Sequence, residues 1–177
     1  IFWTRFLRSL ELAISATILA IVIAIPLGVV SARRRHTPAD YSATLFSLGG
    51  ISTPNFWLGL MLILLIAVPV GFIPTGTPGP LLHEAVGDLF AGDPGTLGDW
   101  LRFMFLPALT LGTYFTALIT RLTRSGMLEE IGKAYAKACR AKGLPETLTM
   151  YRHVLRNTLI PIVTILGLQL GTLNGGA

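Results

Sequence analysis

Hydrophobic and polar positions along this chain fall into long blocks, not into a short period. Runs without a charged residue extend over Leu12–Val30, Leu48–Val70, Phe103–Ile119 and Thr158–Ala177. The nineteen residues of the first give roughly 28 Å of helix at 1.5 Å per residue, enough to cross a hydrocarbon core. The pattern predicts four spans at about 12–30, 48–70, 103–120 and 158–177. Pro26 lies inside the first and should bend it or free a carbonyl. Pro54 suits a helix start within the second, and Pro161 sits near the beginning of the fourth.

The charges between the blocks set an orientation. Arg33, Arg34 and Arg35 follow the first run directly, and arginine clusters beside a span favour the cytoplasmic side. The stretch 71–98 carries Glu84, Asp88 and Asp93 with no Lys or Arg, so it belongs outside. An external loop over 71–102 is expected, with a short helix around Leu81–Phe90. Arg121 and Arg124 mark the return to the cytoplasm. Glu11 stands at a span edge, where it is expected to face the interface.

Residues 121–157 are polar and basic. Residues 121–161 hold eight of the fourteen Lys and Arg residues. Leu128, Ile131, Tyr135 and Ala138 recur at helical spacing, with Glu129, Lys133, Lys137 and Arg140 on the other side. Gly143 suits the left-handed residue that closes a helix, and Pro145 suits the first turn of the next. There Leu148, Tyr151 and Leu155 mark an apolar edge, and Thr149, Arg152 and Arg156 a polar one. The stretch reads as helix, turn, helix. Small residues crowd its first helix at Ala134, Ala136, Ala138, Cys139 and Ala141. They either allow another backbone to approach or reflect alanine's helix propensity.

Composition supports lipid as the solvent for much of the surface: 52% of the 177 residues are hydrophobic, 13% are charged, and mean hydropathy is +0.66. The net charge of +5 is concentrated in the loops and accompanies no nucleic-acid motif. One cysteine excludes an internal disulfide. His36, His83 and His153 are scattered among loops, which argues against a metal site. There is no phosphate-binding GxxxxGK[ST] loop, so no ATP, other cofactor or catalytic residue is expected here.

The segment from Tyr135 to Leu144, YAKACRAKGL, followed by RHVLRN at 152–157 and Leu159-Ile160-Pro161, resembles the cytoplasmic EAA loop of binding-protein-dependent ABC transporter permeases. The variant is that of the dipeptide, oligopeptide and nickel branch. Three further phrases are similar to signatures of that branch: ISTPNFWLG at 51–59, FIPTG at 72–76 and LPALTLG at 106–112. Lys137 stands where the general motif name has an acid, and Cys139 replaces a second small alanine.

The resemblance implies an all-α membrane protein, a polytopic transmembrane helix bundle of the type I ABC importer permease kind. Four of six spans would be present, the chain being truncated at both ends. It further implies an inner-membrane permease subunit, in a bacterial or archaeal cell membrane. Its partners would be a second permease subunit, two ATP-binding subunits and an extracytoplasmic substrate-binding protein, with no nucleic acid. Tyr135, Ala138, Cys139, Ala141, Gly143 and Leu144 would form the docking surface and turn for the ATP-binding subunit. Arg140, Lys142, Arg156 and Asn157 would supply polar contacts. Peptides lead as cargo, ahead of nickel and other solutes.

Thr110, Thr113, Thr116 and Thr120 make a seam along the third span that either lines a path or bonds to its own helix. Gly167, Gly171 and Gly175 form a small-residue face on the fourth. The competing classes are a secondary carrier or channel without an ATPase partner, and a membrane scaffold. Carriers commonly keep ionisable residues inside their spans, and none occurs within the four runs.

Overall fold

The computed structural model describes residues 2–71 and 79–175, and the side chains of 3–71 and 79–171. All regular structure among them is helical. The order is α1 (Phe2–Arg33), α2 (Pro38–Ser52), α3 (Asn55–Leu62), a wide π-helical turn (Ile63–Ala67), α4 (Val68–Val70), α5 (Leu82–Phe90), α6 (Gly95–Gly132), α7 (Ala134–Ala141), α8 (Glu146–Leu148), a second π-helical turn (Thr149–Val154) and α9 (Leu155–Gly175). The FIPTG phrase at 72–76 lies outside the described residues.

Three helical stretches among the described residues are long and apolar enough to cross a membrane: Trp3–Arg33, Gly95–Gly132 and Glu146–Gly171. A fourth qualifies only as the pair Pro38–Ser52 and Asn55–Val70. The run that the sequence presents as one segment from Leu48 is thus interrupted at Thr53-Pro54. Pro54 has extended ψ and precedes α3 as its N-cap, because a proline lacks the N–H needed to continue the preceding ladder and restricts the residue before it. α1 and α6 accommodate Pro26 and Pro107 without ending.

Contacts divide the chain into two units. The first comprises Ile1–Leu19, Thr53–Tyr114 and Leu170–Ala177. Here Glu11 binds two groups instead of simply facing the interface: its carboxylate accepts from the Leu82 backbone N–H at 2.9 Å and from the Trp100 indole at 3.1 Å. It ties α1 to the start of α5 and to α6. Glu84 accepts from the Leu81 N–H at 2.9 Å, satisfying one of the orphan donors at the α5 N-terminus.

The second unit comprises Ala20–Ser52 and Phe115–Gln169. α1 presents Ala20, Ala24, Gly28 and Ala32 at four-residue spacing, the three alanines all buried. This small stripe lets α6 approach closely. A Cβ built on Gly28 would stand 2.8 Å from Thr123 Cγ2 and 3.0 Å from the Thr120 carbonyl oxygen. The Thr120 hydroxyl reaches toward the Ala24 carbonyl, 3.5 Å away. Gly126 brings α6 equally close to Thr158 of α9, with 2.8 Å from a hypothetical Cβ to Thr158 Cγ2.

Candidate functional site

The site lies in the second unit and begins where α6 continues well beyond its apolar stretch. The helix ends at Gly132 because Lys133 adopts an extended conformation, with ψ of 155°. Helical phase restarts at Ala134, so the face expected to run continuously from Leu128 to Ala138 is broken. Ala136 is the buried residue of α7, while Ala138 is exposed. Ala136 packs into a core of Val29, Ala32, Met127, Met150 and Val154, with Ile131 and Tyr135 beside it.

Polar groups fix the same break. The Glu130 carboxylate receives the Lys133 ammonium and the Tyr135 hydroxyl, the latter at 2.6 Å. Asn157, at the start of α9, acts on both the Glu130 carboxyl and the Tyr135 hydroxyl. Burial raises the pKa of Tyr135 above its ordinary value, and its bond to the Glu130 carboxylate adds to this. The Lys133 ammonium is raised by Glu130 beside it. Both therefore keep their protons at neutral pH, and the hydroxyl remains a donor.

α7 closes with a Schellman turn. Gly143 donates to the Arg140 carbonyl at 2.9 Å, and Leu144 to the Cys139 carbonyl at 3.2 Å. Gly143 has φ of +77°, the left-handed conformation that glycine adopts without penalty. Nothing lies within 4 Å of where its Cβ would be. The Arg140 guanidinium then reaches over the turn to Glu146, with both nitrogen–oxygen distances 3.0 Å. That pair is solvent-exposed, so it steadies the turn by no more than about 1 kcal/mol.

Beyond Pro145 the wide turn over Thr149–Val154 inserts extra residues per revolution, which rotates the following side chains relative to a 3.6-residue pattern. Thr149, placed on the polar edge by its spacing, is fully buried with Met150 and Val154. Tyr151, expected on the apolar edge, is 49% exposed. Its ring lies under the Arg33 guanidinium, 5.9 Å from the centroid.

The structure therefore brings Tyr135 and Asn157 together through Glu130, and gathers Ala138, Arg140, Ala141, Lys142 and Gly143 at one exposed end. Cys139 and Leu144 are half-buried beside them, and Arg156 is exposed on α9. Thr110 and Thr113 donate to carbonyls of their own helix, Leu106 at 2.8 Å and Leu109 at 2.7 Å. Thr110 also lines an apolar groove with Asn55, Phe56 and Gly59. Gly167 and Gly171 have open space where a Cβ would stand. Among the described residues no group of three His, Cys, Asp or Glu side chains is placed to hold a metal.

One structural pair was not singled out by spacing. Asp40, 2% exposed, receives Arg124 in a bidentate pair, with Nε at 2.6 Å and Nη2 at 2.9 Å. The Ser31 hydroxyl and the His36 backbone N–H, at 3.0 Å, complete its shell. Four donors meet one carboxylate, which joins the end of α1, the first turn of α2 and α6. The sequence signal was an isolated acid five residues after three arginines, at the head of a helix.

Comparison with known proteins agrees with this architecture. The family model described as "Binding-protein-dependent transport system inner membrane component" matches residues 24–177. The di/tripeptide transport system permease protein DppB of Pseudomonas aeruginosa (strain UCBPP-PA14) is 39% identical over 184 residues, covering 99% of this chain and 55% of that protein. The oligopeptide transport system permease protein AppB of Bacillus subtilis (strain 168) is 39% identical over 173 residues, covering 98% and 52%. The dipeptide transport system permease protein DppB of Escherichia coli (strain K12) is 40% identical over 187 residues, covering 99% and 55%. The chain spans about half the length of the curated relatives it matches.

Proposed function

The chain belongs to the family of binding-protein-dependent transport system inner membrane components, an all-α polytopic membrane family, and from that membership we propose that it acts as a permease subunit of an ATP-driven importer of di- or oligopeptides. It resides in a bacterial or archaeal cell membrane. Its partners are a second permease, two ATP-binding subunits that carry out hydrolysis, and an extracytoplasmic substrate-binding protein. The peptide cargo is suggested by what the relatives' names say they transport.

Residues 121–157 begin at the inner end of the transport path and run on into the cytoplasm in this reading, and α7 with its closing turn docks on an ATP-binding subunit. The observation that carries it is the two-sided character of α7. Ala136 seats it in the core, while Lys137, Ala138, Arg140 and Ala141 stand exposed. Small side chains between basic ones let a partner's backbone come close and offer it fixed charges. A helix held from below transmits displacement instead of absorbing it, as rigid-body alternating access requires.

The test is co-purification of an ATP-binding subunit with the full-length membrane protein in detergent, wild type beside Gly143→Glu. A stoichiometric subunit retained by the wild type and lost from a normally inserted mutant is expected. Absence of the subunit from both preparations would contradict the reading.

A further inference from the structure

We propose that Arg121 lines the inner part of the transport path and pairs with the carboxylate of the passing substrate. The inference rests on the permease reading above and assigns a role to a side chain within it. Three observations in the second unit meet at this residue.

The first is depth. α1 and α6 run alongside each other, with Thr120 opposite Ala24 and Thr123 against Gly28. Arg121 is therefore level with residues 24–28 of α1, inside its charge-free run. That position is about 8–13 Å short of Arg33, counting five to nine residues at 1.5 Å each. A guanidinium at this level is costly against lipid, and such residues face a bundle interior or a water-filled cavity.

The second is lack of compensation. Arg124, one turn further on, is neutralised by Asp40. Arg121 is exposed and makes no hydrogen bond or ion pair with any described residue. One positive charge is left over at this level.

The third is a cavity of about 220 Å³ between α2 and α6, lined by Thr44, Ser47, Thr120, Arg121, Arg124 and Ser125 among others. Its lining is mostly apolar, with Ala43 and Leu48 as walls. The Arg124 guanidinium is held by Asp40 and the Ser47 and Ser125 hydroxyls donate to carbonyls of their own helices, so Arg121 is the cation there without a counter-charge. It is smaller than the roughly 300–1,000 Å³ of drug-sized ligand pockets, so it takes the end of a substrate, not its whole length. A planar guanidinium matches a carboxylate with two parallel hydrogen bonds, which an ammonium does not. The α-carboxylate is the anionic group common to peptides of every sequence, so a single arginine serves a mixed cargo.

The experiment uses the complete importer in phosphatidylcholine vesicles, with and without phosphatidylglycerol, and alanyl-alanine as the probe. Arg121→Gln is expected to lower ATP-dependent uptake about tenfold, equivalent to about 1.4 kcal/mol, and Arg121→Lys to stay within about threefold of wild type. ATP hydrolysis stimulated by the binding protein should stay within about twofold in both variants, since loop docking is untouched; a merely structural role would lower hydrolysis and uptake together. Wild-type uptake by Arg121→Gln overturns the assignment, as does an equal loss of hydrolysis. A loss confined to vesicles containing phosphatidylglycerol also overturns it and assigns Arg121 to a lipid headgroup. If the wild-type assembly itself shows no ATP-dependent uptake, the permease reading fails and this inference falls with it.

Discussion

The α1–α6 seam and the α7 turn each depend on a glycine, and for opposite reasons. Gly28 sits in ordinary helix, and what forbids a side chain there is Thr123 and the Thr120 carbonyl on the facing helix. Gly143 has open space around it, and what forbids a side chain is its own backbone at φ of +77°. The seam is closed by contacts within the chain. The turn is shaped within the chain but leaves its outer surface uncovered. Internal packing therefore accounts for the seam, whereas no packing contact among the described residues accounts for the turn's left-handed glycine.

Substitutions can sharpen this contrast. The largest effect is expected in the ion pair beside the seam. Asp40→Ala leaves Arg124 without its counter-charge and should cost about 3–5 kcal/mol, read as a lowered melting temperature of the full-length protein in detergent. Replacing both partners by apolar residues should recover much of the loss, because the penalty comes from the orphaned charge. If Asp40→Ala melts as the wild type does, the pair does not hold the seam.

Gly28→Ala comes next. Its Cβ forces α1 from α6, an overpacking cost of about 1–3 kcal/mol, and Thr123→Gly should return part of it. Failure of that second change to help would mean that the close approach is not at Thr123.

Gly143→Ala should have the smallest effect on the isolated chain. A non-glycine residue in the left-handed region costs about 1–2 kcal/mol. The loss should register as faster hydrogen exchange in α7, with the seam amides unchanged. Exchange that accelerates equally across α1 and α6 would abolish the distinction between the two regions.

Sequence made some of this legible and hid the rest for physical reasons. The apolar blocks anticipated membrane helices, since the bilayer imposes length and lack of charge on any span. Gly143 and Pro145 marked a turn because backbone constraints act locally. The faces of the loop were legible in part, since Leu128, Ile131, Tyr135 and Leu155 do pack against the core. Periodicity assumes an unbroken 3.6-residue helix, and both Lys133 and the π-helical turn at Thr149–Val154 shift the phase. Ala136 and Thr149 thus came inside, while Ala138 and Tyr151 came out. The Asp40–Arg124 pair joins residues 84 positions apart, so no local pattern could reveal it. The stripe of Ala20, Ala24, Gly28 and Ala32 is readable at its four-residue spacing, and so is the face of Gly167 and Gly171, so spacing alone does not tell a packed stripe from an open one. In this chain those two glycines meet open space.

The central claim is that the outer surface of α7 meets an ATP-binding subunit. It is tested most directly by photo-crosslinking from single positions in the assembled transporter. A photoreactive residue at Ala138 or Ala141 should join the permease to the ATP-binding subunit, whereas one at exposed Leu45 on α2 should not. Equal cross-linking from Leu45, or none from Ala138 and Ala141 in an assembly that hydrolyses ATP, would contradict the account.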